Sequence, residues 1–177
     1  MIENQKIDYH FEPLGNQHDR AAFSCGVKVL DQYFQGDPIR QDISRKLTNA
    51  FVLTPDSKFV AGFYTLSSIS IRGEDLPPAL TRKLPRRELG STLIGRLGRD
   101  LSLRGHHIGK MLLEDALYRA WMSSKLVSSM AVITDAKEGS RDFYLKHKFI
   151  PFETRPTRLF YPMKKIDLMF GGKDAVR

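Results

Sequence analysis

The chain of 177 residues holds one cysteine, Cys25, so an internal disulfide is excluded. No apolar run approaches the ~20 residues that span a bilayer. The opening residues, MIENQKIDYH, have no apolar stretch of the kind a secretory signal needs. Together these shortages predict a cytoplasmic protein without a membrane anchor. Acidic residues are also scarce, 20 against 28 Lys and Arg, which leaves a net charge of +8. The dinucleotide fingerprint Gly-x-Gly-x-x-Gly is absent. The run from Gly105 to Met111, GHHIGKM, falls one residue short of a Walker A loop, and Met111 has no hydroxyl for magnesium. His106 and His107 are adjacent rather than at ligand spacing, so no metal site is predicted.

What is present begins at residues 93–117, LIGRLGRDLSLRGHHIGKMLLEDAL. This reads as a strand, a tight basic turn and an amphipathic helix, with Gly109, Leu112, Leu113, Ala116, Leu117 and Ala120 on one helical face. A helix that starts in such a turn aims unpaired main-chain N–H groups and its positive dipole end at one spot. That spot suits a phosphate or pyrophosphate. The positive charge is concentrated around it. Residues 82–110 carry eight basic side chains against two acidic, and residues 137–165 carry eight against three. One pyrophosphate-bearing ligand at that turn would engage roughly three or four of these cations. The surplus predicts a second polyanion, with nucleic acid as the obvious one.

Periodicity predicts helices over residues 23–34 and 39–47, separated by Gly36-Asp37-Pro38. A hairpin of residues 50–53 and 59–71 follows, then a proline-containing loop over 73–85. Next come a strand over 92–101, a helix over 109–123, a strand over 130–134 and a helix over 139–147. Strands over 149–153 and 158–163 close the series. This order predicts an α/β (α+β) fold, one domain over residues 1–166 with a mixed twisted sheet and flanking helices. A mobile tail is expected over 167–177.

The segment Arg104-x-x-His107-x-Gly109 resembles the Gln/Arg-x-x-Gly-x-Gly/Ala pyrophosphate loop of the GCN5-related N-acetyltransferases, the GNAT family. Residues 140–152, SRDFYLKHKFIPF, resemble that family's closing helix and strand, and residues 23–71 resemble the opening of one subgroup. Leu84-Pro85 followed by Ile94-Gly95-Arg96-Leu97 is similar to the same subgroup, the GNAT toxins of bacterial toxin–antitoxin pairs. The resemblance covers roughly residues 10 to 163. It implies two neighbouring parallel strands that splay to admit acetyl-CoA, and an acceptor that is aminoacyl-tRNA, acetylated on its α-amine. It also implies a small ribbon-helix-helix antitoxin as partner and, commonly, a homodimer.

On this resemblance, Leu97, Gly98 and Arg99 would bond the pantetheine through their main chain, and an N–H there would serve the oxyanion. Arg104, Gly105, His106, His107, Gly109 and Lys110 would cradle the pyrophosphate. His107 and Lys148 stand where the family usually has glycine, and Arg99 where it usually has valine. Should position 107 require φ > 0, histidine would carry a cost there.

Acetyl transfer from a thioester to an amine needs a neutral amine, a donor for the oxyanion and a proton for the departing thiolate. A phenol with pKa near ~10 can supply that proton, and family placement makes Tyr144 the candidate. Without the resemblance, Tyr144 would read as a half-buried structural aromatic. Arg82, Lys83, Arg86, Arg87, Arg96, Lys146 and Lys148 are the candidate tRNA contacts. Arg96 is either ion-paired within the fold or reaching for substrate. Asp135 and Glu138 would orient Tyr144, deprotonate the amine or cap the following helix. Cys25 reads as a structural thiol. Two other functions fit the pattern: acetylation of a small amine or protein N-terminus, and a non-catalytic binding module. The basic surplus argues against a polyamine acceptor, and the intact Tyr144 and loop argue against a non-catalytic role.

Overall fold

Strands form here where β-branched and aromatic side chains alternate, and helices where apolar residues recur every three to four positions. The computed structural model describes residues 7–171. Its elements are β1 (His10–Pro13), α1 (Lys28–Gln35), α2 (Pro38–Ser44), β2 (Asn49–Thr54), β3 (Gly62–Arg72), α3 (Pro78–Thr81), β4 (Glu88–Arg99), α4 (Ile108–Ser124), β5 (Ala131–Asp135), α5 (Arg141–Lys146), β6 (Ile150–Pro151), β7 (Arg158–Pro162) and α6 (Met163–Phe170). The strands make one mixed sheet in the order β1-β2-β3-β4-β5-β7-β6. β4 and β5 run parallel, with Thr92, Leu93 and Ile94 opposite Val132, Ile133 and Thr134. A parallel neighbour needs a crossover, and α4 supplies it. β5 pairs antiparallel with β7, bringing Asp135 opposite Arg158.

By internal contacts the chain divides into two units, Met1–Thr65 with Arg96–Asp115, and Leu66–Gly95 with Ala116–Arg177. The first is built on an aromatic cluster. Phe34 stacks on Phe63 at 4.2 Å between ring centroids, and Phe23 meets both edge-on. Each such ring contributes about 2–3 kcal/mol by burial. Gly62 is required by close approach: a Cβ there would lie 2.6 Å from Leu112 Cδ1 and 3.0 Å from the Gly98 carbonyl oxygen. α1 starts later than the expected residue 23. Gly26 takes φ +83°, and Asp31 accepts from the Cys25 N–H at 2.7 Å and from Ser24 Oγ at 2.9 Å, so residues 23–27 turn before the helix begins. Arg20 closes its other end by donating to the carbonyls of Phe34 and Gly36.

The second unit packs Ile71, Leu76, Ala131, Ile133, Phe152 and Phe160 into one core cluster. Its C-terminal element departs from expectation. The tail was expected from Asp167, but α6 continues to Phe170 with Ile166 fully buried. Trp121 Nε1 donates to Asp167 Oδ1 at 2.7 Å, and Phe170 packs on Tyr118 and Trp121, which holds this turn in place. Residues 172–177 of the expected tail lie outside the described residues. β1, at the start of the chain, was also not expected; it pairs with β2 through His10 to Pro13. Among the described residues, no helix is long and apolar enough to cross a membrane.

Candidate active site

Within the first unit a strand end, a loop and a helix start follow one another. Leu97, Gly98 and Arg99 close β4. A Cβ at Gly98 would come within 3.1 Å of Phe63 and 3.5 Å of Phe23 and Cys25, so packing alone demands a small residue there. Arg99 folds back, its Nη1 donating to the Asp100 carbonyl at 3.2 Å. Asp100 is the residue that sequence reading passed over. Its buried carboxylate accepts from the Ser24 N–H at 3.2 Å, the Ser102 N–H at 3.0 Å and the Ser102 hydroxyl at 2.6 Å. It ties the strand end to the segment before α1 and starts the 3-10 turn Leu101–Leu103. The signal available in the sequence was its place at the end of the Gly95–Asp100 motif.

The loop then runs through Arg104, Gly105, His106 and His107, all exposed, into α4. Gly105 has φ +86°, and a Cβ there would meet nothing within 4 Å, so the glycine serves the turn and not a tight contact. His107 has φ 59°. The position that usually holds glycine in the resembling family is therefore left-handed here, and the imidazole is accommodated at a conformational cost. Lys148, the other glycine replacement, has φ 69°. The His106 N–H donates to the Leu103 carbonyl and the Met111 N–H to that of His107. The N–H groups of Ile108, Gly109 and Lys110 precede the helical ladder of α4 and have no helical acceptor. Lys110 forms an exposed i,i+4 pair with Glu114 at 3.7 Å, a weak restraint that leaves its ammonium available.

The candidate acid lies within the second unit. α5 carries Tyr144, which is 6% exposed and lies edge-on to Phe143 and Phe149. Thr134, on β5, donates its only hydroxyl proton to the Ile94 carbonyl at 3.2 Å. The Tyr144 hydroxyl also meets the Thr134 side chain in a hydrogen bond. Burial pushes the Tyr144 hydroxyl above the ordinary phenol range, opposed in part by the Thr134 bond. The proton is consequently retained at neutral pH.

Asp135, one of the two carboxylates expected to assist, does other work. Arg158 grips Asp135 with two hydrogen bonds, at 2.8 and 2.7 Å. That pairing holds the Asp135 carboxyl below the usual range despite its partial burial, which makes it a poor base. Thr134 bonds the phenol, and Ser140 stands at the N-terminus of α5, its hydroxyl donating to the Lys137 carbonyl. Burial pushes the Cys25 thiol up to about 11, as suits a structural thiol.

Arg82, Lys83, Arg86 and Arg87 are all exposed around α3 and the start of β4. Arg86 and Arg87 line a cleft of about 310 Å³ with Arg72, Glu74 and Glu88. Lys146 and Lys148 are exposed at the end of α5. Among the described residues Arg96 is not ion-paired, which leaves the second expected arrangement, a reach for substrate. Its guanidinium lies 3.5 Å from the centroid of the Tyr33 ring.

No family model matches the sequence. Individual relatives do. The chain is 32% identical over 170 residues to the probable toxin TacT of Sinorhizobium fredii, covering 90% of this chain and 94% of that protein. AtaT complexed with acetyl-methionyl-tRNAfMet superimposes with a TM-score of 0.82 at 30% identity, over 92% of this chain and 99% of the other. A tyrosine-to-phenylalanine variant of AtaT, bound to the C-terminus of the antitoxin AtaR and acetyl-CoA, gives a TM-score of 0.78 at 27% identity over 93% and 99%. Similarity of this extent and coverage means that the chain belongs to the GNAT toxins of toxin–antitoxin systems, a family of acetyl-CoA-dependent N-acetyltransferases.

Proposed function

We propose that this chain acetylates the α-amine of aminoacyl-tRNA, with Tyr144 as the general acid. Acetyl-CoA supplies the acetyl group as a thioester. The acylated amine cannot serve as a peptidyl acceptor, so translation stops. The observation that carries the reading is the Tyr144 phenol, 6% exposed on α5 and pushed by burial above the ordinary phenol range, so that it keeps its proton. A buried neutral phenol is suited to protonate a leaving thiolate and poorly suited to act as a base.

The remaining roles follow from the chemistry of each group. The free N–H groups at the start of α4, with Arg104 and Lys110 beside them in sequence, fit a pyrophosphate. Gly109→Pro would remove one of those donors at a helical position that tolerates proline. Main-chain groups of Leu97, Gly98 and Arg99 bond the pantetheine amides. Arg82, Lys83, Arg86 and Arg87, with Lys146 and Lys148, take RNA phosphates, which matches their exposure and a net charge of +8. A ribbon-helix-helix antitoxin with an acidic tail would neutralise the toxin by opposite charge; AtaT bound to the C-terminus of AtaR supports a contact through the antitoxin's C-terminal end alone. The toxin acts in the cytoplasm as a homodimer.

Induced expression tests the reading in cells. The chain alone should arrest growth, and Tyr144→Phe at equal expression should relieve the arrest. Normal growth at high expression of the folded, acetyl-CoA-binding protein would contradict it.

A further inference from the structure

Arg96 is held more tightly than the surface arginines. Its guanidinium plane rests on the Tyr33 ring at 3.5 Å. Tyr33 is itself fixed: it is 6% exposed, and its hydroxyl donates to Asp42 Oδ2 at 2.9 Å. Burial, and then the Asp42 bond, push this phenol up to about 12, so it stays a neutral donor. The Arg96 main chain is also fixed, its N–H donating to Thr65 Oγ1 at 3.0 Å. Tyr33 comes from α1, Asp42 from α2, Thr65 from β3 and Arg96 from β4, so four elements hold one guanidinium.

Among the described residues, no carboxylate lies within ion-pair distance of Arg96 and no acceptor takes its side-chain N–H groups. A guanidinium carries five N–H donors in one plane and is satisfied best by two oxygens of a phosphate or carboxylate. Stacking occupies a face and leaves those edge donors unused. A half-buried arginine that is immobilised without an acceptor in its own chain is preorganised for an external one.

We propose that Tyr33 and Asp42 are positioning residues that hold Arg96 so that the edge of its guanidinium takes a phosphate of the acceptor RNA's unpaired 3′ end. The inference rests on the aminoacyl-tRNA reading given above. Acetyl-CoA offers the same phosphate chemistry, but the residues between Arg104 and Lys110 already provide for it. A fixed planar fork reads a defined backbone geometry, whereas the flexible lysines and arginines of the surface contribute charge alone.

The test compares Arg96→Ala, Arg96→Lys, Tyr33→Leu and Asp42→Asn by steady-state acetylation of charged tRNA across a salt titration. Calorimetric acetyl-CoA affinity and binding of a labelled RNA hairpin with a single-stranded 3′ overhang are measured alongside. Arg96→Ala should raise KM for tRNA about 10–100-fold, the range for a lost charge-assisted contact. It should flatten the salt slope by about 0.7, one single-strand phosphate. Arg96→Lys should keep the salt slope yet leave KM raised several-fold, because charge survives and the fork does not. Tyr33→Leu and Asp42→Asn should follow Arg96→Lys in direction, with acetyl-CoA affinity unchanged throughout. If Tyr33→Leu fails to fold, Arg96→Lys and Asp42→Asn carry the comparison. Unchanged KM and salt slope in Arg96→Ala would overturn the proposal, as would an equal loss of acetyl-CoA affinity. If the wild-type chain acetylates no charged tRNA, the parent reading fails. The hairpin then decides this proposal separately: weaker binding by Arg96→Lys sustains it, and unchanged binding overturns it.

Discussion

Tyr144→Phe removes one hydroxyl and leaves almost everything else in place. The ring keeps its contacts with Phe143 and Phe149. Thr134 keeps its bond to the Ile94 carbonyl and loses only its hydrogen bond with the phenol. The stability cost should therefore be that of one hydrogen bond, about 0.5–1.5 kcal/mol. For a chain of this size that is roughly 1–6 °C in Tm. Turnover should fall by about 10²–10⁴, the range for a lost general acid. Thr134→Val inverts the pattern. It strips partners from both the Tyr144 hydroxyl and the Ile94 carbonyl, costing about 1–3 kcal/mol, while the phenol proton survives. Its turnover should exceed that of Tyr144→Phe although it is the less stable variant. Thermal melts and single-turnover acetylation with saturating acetyl-CoA separate the two effects. The pH profile adds an independent sign. An α-amine near pKa ~7.7–8.0 must lose its proton, so kcat/KM should rise through that region. Because burial raises the Tyr144 hydroxyl, the alkaline fall should come only above the ordinary phenol range, and Tyr144→Phe should abolish it. Near-wild-type turnover in Tyr144→Phe, or activity losses that track stability in both variants, would refute the reasoning.

Three other outcomes are expected. Arg104→Ala with Gly109→Pro should abolish acetyl-CoA binding in calorimetry while circular dichroism stays near wild type, since α4 loses a free donor and no ladder bond. Neutralising Arg82, Lys83, Arg86 and Arg87 together should weaken tRNA acetylation and flatten its salt dependence without changing acetyl-CoA affinity, and an unmoved salt slope would assign the RNA contact elsewhere. His107→Gly and Lys148→Gly should each change stability by only about 0 to +1 kcal/mol, because relief of the left-handed cost, about 1–2 kcal/mol, is offset by glycine's unfolded-state entropy. A clear destabilisation in a denaturant titration would mean that these side chains make stabilising contacts.

Long, strongly periodic elements were legible in the sequence. β4, with only moderate alternation, and α4, with an apolar face over seventeen residues, were both placed to within a few positions. Local signals misled where a tertiary contact overrode them. The apolar spacing of Phe23, Val27 and Leu30 continues straight through Gly26, whose positive φ and the Asp31 hydrogen bonds break the helix. α6 was hidden because its restraint, the Trp121 bond to Asp167, joins residues far apart in the chain. The same limit applies at the site. Tyr144 could be nominated from its motif, but its partner Thr134 could not. Asp135 read equally as an orienting group, a base or a helix cap, and its place opposite Arg158 in the β5–β7 register was not legible. Tyr33, which fixes Arg96, gave no sign beyond its place on an apolar helix face. The two unusual residues at glycine positions were visible as departures, and the backbone angles at His107 and Lys148 explain why glycine is usual there.

The central claim is transfer of acetyl to the α-amine of an aminoacyl-tRNA. It is tested most directly by incubating the purified chain with labelled acetyl-CoA and total charged tRNA, then digesting the RNA and identifying the labelled fragment by mass. The account predicts label on N-acetyl-aminoacyl-adenosine, lost when the tRNA is deacylated beforehand and lost in Tyr144→Phe. Label on free amines or on protein N-termini, with charged tRNA unmodified, would contradict it.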